Sequence, residues 1–223
     1  MPVTRAGASL PDMFDLCGWL AAHGSSCAEL IGFVTGVLNV WLVTREHLWS
    51  WPVGIVNAAF YIVVFSRSGL YSDTGLQMVY LVLSVYGWWH WKTGGVHASA
   101  LRRPVVVTRV AGSTVARLAG IWIALWLLLA AITSRIPNAA LPWFDAALVA
   151  ASLIAQWMMT RKLLESWILW ILVDVAYVGL FIVRGLPLTA VLYAIFFLLA
   201  ILGLVQWTRS ARRTNPLPSH ALS

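Results

Sequence analysis

The sequence contains few charged residues: Asp, Glu, Lys and Arg make up 10% of its 223 positions, whereas soluble domains carry about 25%. Acidic residues are the scarcest, with 8 Asp and Glu against 15 Lys and Arg. Cysteine is also scarce, because the chain has 2, without CxxC spacing or paired histidine ligands. These shortages exclude a disordered chain, a disulfide scaffold and a nucleic-acid-binding domain, and they predict neither a metal site nor a cofactor site.

Apolar residues dominate instead, at 61% of the chain, with a mean hydropathy of +0.82. A spanning helix needs about 20 mostly apolar residues, and seven stretches meet or approach that length. The 14 Trp residues suit the wet edges of a bilayer. The sequence therefore predicts an all-α, multi-pass protein of the cell membrane, surrounded by lipid. The seven predicted transmembrane helices are at about 28–44, 50–66, 73–91, 116–134, 143–160, 166–183 and 187–207.

The basic residues between these spans predict the orientation of the chain. The side that holds the N-terminus carries 4 Lys and Arg, and the other side carries 11, which together account for all 15. Cytoplasmic loops are the side enriched in Lys and Arg. We therefore expect an extracytoplasmic segment at 1–27, with an interfacial helix near 13–20, and a cytoplasmic tail at 208–223.

The sequence contains an internal repeat. When residues 29–91 are compared with 145–207, an offset of 116, 15 of the 63 positions are identical without a gap. Matches of Trp, Arg and Gly are harder to attribute to shared composition than matches of Leu. They include Trp41 and Trp157, Arg45 and Arg161, Trp51 and Trp167, Gly87 and Gly203, and Trp91 and Trp207.

Each copy of the repeat contains three predicted spans, and one extra span separates them. Three spans invert the chain and the fourth restores its direction, so both copies point the same way through the membrane. This 3+1+3 parallel arrangement is that of the SWEET transporters, which bind substrate near the midplane between the repeats. We expect a first repeat at 28–91, a basic cytoplasmic loop with the linker helix at 92–141, and a second repeat at 142–207.

One span of the second copy carries the strongest candidate site. Asp174 is the only charged residue well inside a span, and a carboxylate at that depth usually faces a cavity or a partner. Trp167 and Trp170 precede it at helical spacing, and Tyr177 extends the same face. Two indoles beside a carboxylate suit a flat, cationic ring. The alternative is that Asp174 only joins helices by hydrogen bonds.

Polar residues on other spans complete the candidate site. Asn57 and Tyr61 share one helix face, as do Gln77 and Tyr80. Tyr193 aligns with Gln77 in the repeat, so the two copies offer different polar groups at equivalent depth, which suits an asymmetric ligand. The sequence has no GxSxG, HExxH or Walker A motif and no paired intramembrane aspartates. We therefore predict a substrate-binding site without catalytic residues, in a protein that is not an enzyme.

Four stretches of the sequence match motifs of a known family. They are 51–55 (WPVGI), 70–77 (LYSDTGLQ), 86–91 (YGWWHW) and 165–170 (ESWILW) followed by Asp174. Together they resemble the PnuC family of nicotinamide riboside transporters, whose W-x-x-W-x-x-x-[N/D] motif is matched by Trp167, Trp170 and Asp174. The resemblance covers about 28–207, nearly all of the hydrophobic chain.

This resemblance implies a SWEET-like fold, a homotrimer, and uptake of nicotinamide riboside by facilitated diffusion with trapping by intracellular phosphorylation. For this substrate we expect Trp167, Trp170 and Tyr193 to stack on or enclose the ring. We expect Asn57, Gln77 and Asp174 to hydrogen-bond the ribose or carboxamide, with Asp174 also neutralising the charge of the ligand. Members that carry nicotinamide riboside often have Asn where this chain has Asp174. Related carriers take thiamine, riboflavin or deoxynucleosides, so these substrates stay open, as do a proton-coupled carrier that uses Asp174 and a non-transporting receptor or assembly subunit.

Overall fold

The computed structural model describes residues 27–67, 71–94, 105–135, 141–183 and 187–214. Within these ranges the chain is all-α with seven helices, as predicted, and the one β feature is an isolated bridge between Thr108 and Leu163. The predicted interfacial helix at 13–20 and most of the predicted tail lie outside the described residues. The helices are α1 (Cys27–Thr44), α2 (Ser50–Arg67), α3 (Tyr71–Thr93), α4 (Gly112–Thr133), α5 (Pro142–Thr160), α6 (Ser166–Val183) and α7 (Pro187–Thr214).

Four helices are long and apolar enough to cross a membrane: α4, α5, α6 and, over Thr189–Arg213, α7. Shorter apolar stretches occupy Ile31–Thr44 in α1 and Ser50–Val63 in α2. Large apolar side chains are exposed on every one of the seven helices. Such a surface suits contact with lipid, since a soluble protein rarely exposes so much continuous apolar area.

Six of the seven helices pack in a closed ring. Going around the ring, the order is α1, α2, α3, α5, α6 and α7, and α7 packs against α1 to close it. The seventh helix, α4, lies outside the ring against α5. A ring of this kind leaves room for an enclosed space on its axis, to which α4 contributes no side chain.

Two tight loops lie at the same end of the ring, which we call the loop end. Residues 45–49 join α1 to α2, and residues 161–165 join α5 to α6. The loops have matching geometry, because Glu46 and Lys162, which are 116 positions apart, both have left-handed backbone angles with φ of 53° and 52°. Helices α1 and α5 therefore end, and α2 and α6 begin, at positions that differ by the repeat offset.

Four tryptophans fill the ring next to the loop end, and we call them the tryptophan layer: Trp51, Trp91, Trp167 and Trp207. Their ring centroids follow one another at 5.2 Å from Trp51 to Trp91, 6.0 Å from Trp91 to Trp207, and 5.4 Å from Trp207 to Trp167. All four are at least nine-tenths buried. The first and last of these contacts are edge-to-face, and such aromatic pairs stabilise a core beyond the apolar area they bury.

Two of these indoles also form hydrogen bonds that link helices α1–α3 to helices α5–α7. Trp91 Nε1 of α3 donates to the carbonyl of Thr160 in α5 at 3.1 Å. Trp207 Nε1 of α7 donates to the carbonyl of Val43 in α1, also at 3.1 Å. These bonds hold the two contacts that close the ring, α3 with α5 and α7 with α1.

Candidate functional site

A cavity of about 240 Å³ lies inside the ring, above the tryptophan layer. All six ring helices contribute to its walls, and each of them supplies at least one side chain with a polar group. Its lining residues are Gly36, Asn39, Val40, Val43, Trp51, Gly54, Asn57, Ala58, Gln77, Tyr80, Ser84, Gln156, Met159, Trp167, Trp170, Asp174, Tyr193, Phe196 and Ala200. A concave, largely apolar space with a few convergent polar groups is typical of a small-molecule site.

The cavity brings together seven of the nine residues that the sequence predicts as substrate-binding. They are Asn57, Gln77, Tyr80, Trp167, Trp170, Asp174 and Tyr193. The other two, Tyr61 and Tyr177, are not in its walls. Their binding roles stay predictions, but the shared location means that one ligand could contact all seven.

Tyr61 and Tyr177 stand behind the walls rather than in them. The ring of Tyr177 lies 4.8 Å from that of Tyr193, and Phe181 stacks on both. Tyr61 fills the space beside Gly32, where an added Cβ would come within 1.7 Å of the tyrosine hydroxyl. Both side chains therefore support the site instead of lining it.

Among the described residues, Asp174 is the only charged side chain that lines the cavity, and it is 3% exposed. The single salt bridge in the described part of the chain lies elsewhere, and no Lys, Arg or His lines the cavity. A buried carboxylate without a basic partner is costly in a low-dielectric interior. A cationic ligand would supply the missing positive charge.

The polar groups of α2 and α3 are already partly engaged. Asn57 Nδ2 donates to Thr35 Oγ1 at 2.6 Å and to the carbonyl of Gly32 at 3.3 Å. Its amide hydrogens are thus directed to α1, and its carbonyl oxygen is left as an acceptor for a ligand. The hydroxyl of Tyr80 hydrogen-bonds the side chain of Ser152 in α5.

The structure also places in the cavity walls several residues that are not among the nine predicted to bind substrate. A Cβ on Gly54 would lie 3.4 Å from the amide of Asn39 and 3.5 Å from Ser84 Oγ, so this glycine makes room for two polar groups. Phe196 packs edge-on against Tyr193, with ring centroids 5.8 Å apart. The repeat offset places Phe196 opposite Tyr80, and that correspondence is the signal that could have predicted it.

Comparison with known proteins identifies the family. The family model described as "Nicotinamide mononucleotide transporter" matches residues 26–209. The chain belongs to this family. The resemblance found in the sequence is therefore confirmed, and so is the prediction of a multi-pass membrane transporter that is not an enzyme.

Individual relatives agree with this assignment. The nicotinamide riboside transporter PnuC of Escherichia coli is 26% identical over 220 residues, which cover 89% of this chain and 90% of the relative. The riboflavin/roseoflavin transporter RibM of Streptomyces davaonensis is 28% identical over 195 residues, covering 85% and 89%. A crystal structure of the vitamin B3 transporter PnuC has a TM-score of 0.70 at 21% identity, covering 89% of this chain and 87% of that one, and it supports the fold.

Proposed function

We propose that this protein carries nicotinamide riboside across the cytoplasmic membrane by facilitated diffusion. The observation that supports this most is the chemistry of the cavity: among the described residues, its lining holds one buried carboxyl group, Asp174, and no basic side chain. Nicotinamide riboside is a cation, since its pyridinium nitrogen bears a permanent positive charge. Its ring would place that charge near Asp174 and aromatic faces, where charge attraction and cation–π attraction act together.

The two ends of the ligand fit different parts of the lining. Trp170 and Tyr193 provide aromatic faces for the ring, with Trp167 beneath them at the tryptophan layer. The carboxamide and ribose carry both donors and acceptors, and the acceptor of Asn57 and the amide of Gln77 can pair with them. A carrier needs moderate affinity, so this small number of directional contacts suits release as well as binding.

We also propose the finer architecture as part of this function: two parallel three-helix repeats, 28–91 and 142–207, with 92–141 as loop and linker helix. Its support is the closed ring, whose two closing contacts, α3 with α5 and α7 with α1, correspond under the offset of 116. The count of basic loop residues supports a loop end in the cytoplasm and an N-terminus outside. Because diffusion alone cannot accumulate the ligand, phosphorylation inside the cell would trap it.

The assembly proposed for this carrier is a homotrimer, as the family resemblance implies. Helix α4 offers a surface for it, because α5 is the only described helix that it packs against and it exposes apolar side chains such as Val115, Ile121 and Leu128. Measurement of the molar mass of the detergent-solubilised protein by light scattering, corrected for bound detergent, tests this. A mass of three chains is expected, and a mass of one chain would contradict it.

Riboflavin is the second candidate substrate, because a relative of this chain is named a riboflavin transporter. The charge of the cavity favours a cation instead, and riboflavin is neutral. Riboflavin also carries three fused rings where nicotinamide riboside carries one, and the cavity of about 240 Å³ suits the smaller ligand. Thiamine is also a cation, so it is tested beside nicotinamide riboside as a candidate substrate.

The test is uptake into proteoliposomes with no imposed gradient. Radiolabelled nicotinamide riboside is expected to equilibrate across the membrane, and unlabelled nicotinamide riboside should compete more strongly than thiamine, riboflavin or a deoxynucleoside. Stronger competition by any of the other three would replace the proposed substrate. Repeating the assay under several imposed pH gradients separates simple facilitation from proton coupling through Asp174, because uptake that follows the gradient would reject facilitation.

A further inference from the structure

The only salt bridge in the described part of the chain joins the two loops at the loop end. Lys162 Nζ lies 2.7 Å from Glu46 Oε2. The two residues are 116 positions apart, so they occupy equivalent places in the two loops, and both have the same left-handed backbone angles. A contact between equivalent residues lies where the two halves of the ring meet.

This ion pair also covers the tryptophan layer. The ammonium of Lys162 lies 4.4 Å from the ring centroid of Trp91. The side chains of Lys162 and Glu46 are 10% and 24% exposed, so the pair is largely shielded. A shielded pair is screened less by salt than a surface pair. Ion pair, indole and cavity are thus stacked in that order from the loop end inward.

Unpaired polar atoms gather at the same end. In the described part of the chain, five buried side-chain nitrogen or oxygen atoms have no hydrogen-bond partner in the protein. They are Ser50 Oγ, Trp51 Nε1, His90 Nδ1, Arg161 Nε and Trp167 Nε1. All belong to the loops or to the helix ends beside them, and a buried polar atom that stays unpaired is destabilising. Water that enters when the layer opens would satisfy them.

The two loops differ in how firmly they are held. The segment before α4 forms a strap, residues 105–110, along the second loop. Thr108 donates its backbone N–H to the carbonyl of Lys162 at 3.1 Å and accepts from Leu164 N at 2.9 Å. Glu165 Oε2 accepts from the backbone N–H of Val110 at 3.0 Å. The buried side chain of Val107 anchors this strap in the core.

No such strap lies along the first loop within the described residues. There the side chain of Trp49 is 65% exposed, and His47 and Leu48 are exposed as well. Carriers of this class must open one end of the site and then the other. The loop that has fewer contacts outside itself is the one that can move at the lower cost.

We propose that the Glu46–Lys162 ion pair is a latch that holds the cavity closed at the loop end, and that opening moves the Glu46 loop away from the strapped Lys162 loop. The inference rests on the proposed transport function, but the closure itself is a property of the protein without ligand. The latch holds the tryptophan layer shut against the tendency of its unpaired polar atoms to take up water. Breaking the ion pair in each cycle then exposes the cavity at this end.

Distances between paired spin labels in the ligand-free, full-length protein test the latch and the side that moves. In a background without Cys17 and Cys27, one label pair replaces Trp49 and Arg209 with cysteine, and a second replaces Arg109 and Arg209. All three positions are exposed. Glu46→Gln is expected to shift the 49–209 distances to longer values and to leave the 109–209 distances unchanged. Unchanged 49–209 distances, or lengthening of the 109–209 distances instead, would overturn the proposal.

Two further variants separate the latch from a general loss of structure. Arg45→Gln alters an exposed charge in the same loop without touching the pair, and it should leave both distance distributions as they are. The single reversals Glu46→Lys and Lys162→Glu should both lengthen the 49–209 distances, and the double reversal should restore them. A double reversal that behaves no better than the worse single variant would contradict the pairing. None of these measurements uses a substrate, so a wrong substrate assignment would leave their outcome unaffected.

Discussion

The tryptophan layer and the cavity above it are built from the same pair of sequence copies, yet only the layer keeps the same residues in both. Trp51 corresponds to Trp167 and Trp91 to Trp207, and all four are buried together. In the cavity the correspondence fails, because Trp170 corresponds to a glycine, Gly54. Both repeats pack into the same buried layer, so the same residues suit both. A ligand with two different ends needs different groups on the two sides of the cavity.

The difference at Asp174 makes the same point in terms of charge. Its counterpart is Ala58, which is equally buried in the opposite wall. One side of the cavity therefore carries a carboxyl group and the indole of Trp170, and the other carries the methyl group of Ala58 and a glycine that faces the amide of Asn39 and the hydroxyl of Ser84. This asymmetry would give a bound cation one preferred orientation in the site.

The largest effect is expected from Gly203→Ala, which disturbs the layer. An added Cβ would lie 2.5 Å from ring atoms of Trp167, a residue that is 1% exposed and cannot move aside. Overpacking of a tight core costs about 1–3 kcal/mol, occasionally more, and contacts this short place the variant at or above the top of that range. We expect a lower melting temperature and a reduced yield of monodisperse protein in size-exclusion chromatography.

Gly179→Ala is the matched control for this variant. It is also a glycine within a helix, but nothing lies within 4 Å of its added Cβ. Alanine has the better helix propensity by about 1 kcal/mol, so this variant should be at least as stable as the parent. Equal destabilisation by the two variants would show that the layer is not tightly packed.

Next in size is the effect of Asp174→Asn, which removes the charge of the cavity and keeps its shape. Interactions with a charged group contribute about 1.5–3 kcal/mol, or roughly 10- to 150-fold in affinity. Binding of nicotinamide riboside and of thiamine should weaken by that factor, while melting in the absence of ligand changes little. If both cations bind Asp174→Asn as tightly as the parent, the carboxylate does not face the ligand.

Trp170→Gly removes the indole from α6 and leaves a glycine there, as at the equivalent position Gly54 in α2. Stacking of a flat base on an aromatic side chain contributes about 1–3 kcal/mol, so nicotinamide riboside should bind roughly 5- to 150-fold more weakly by calorimetry. Trp49→Gly is the control, because that indole is 65% exposed and does not line the cavity. Similar losses of affinity in the two variants would mean that the asymmetry of the walls is unrelated to binding.

The smallest effect is expected from Gln77→Leu, which removes a neutral hydrogen-bonding group of the first repeat. Its counterpart in the second repeat is Tyr193. A net hydrogen bond is worth about 0.5–1.5 kcal/mol, or roughly 2- to 10-fold in affinity. Binding should weaken within that range, and the preference for cations over riboflavin should persist. A reversal of that preference would place specificity in Gln77 rather than in Asp174.

The helices could be predicted from the sequence because long apolar runs need no tertiary information. The predicted span at 166–183 coincides with α6, and the others agree with their helices to within a few residues at most ends. The helical spacing of Trp167, Trp170 and Asp174 also placed all three in one cavity. Their shared face is a property of the helix alone.

What the sequence could not supply is how each helix turns toward its neighbours. By helical spacing Tyr177 lies on the same face as Asp174, yet its ring packs against those of Tyr193 and Phe181 behind the cavity wall. That arrangement depends on the packing of α6 against α7. The ion pair between Glu46 and Lys162 could not be predicted either, because hydropathy does not show which distant loops are in contact.

Calorimetric titration of the purified protein with nicotinamide riboside, and separately with riboflavin, tests the central claim most directly. A one-sided cavity whose described lining holds a single carboxyl group and no basic side chain predicts saturable binding of nicotinamide riboside and much weaker binding of riboflavin. Tighter binding of riboflavin, or no heat of binding with nicotinamide riboside at any concentration, would contradict the account.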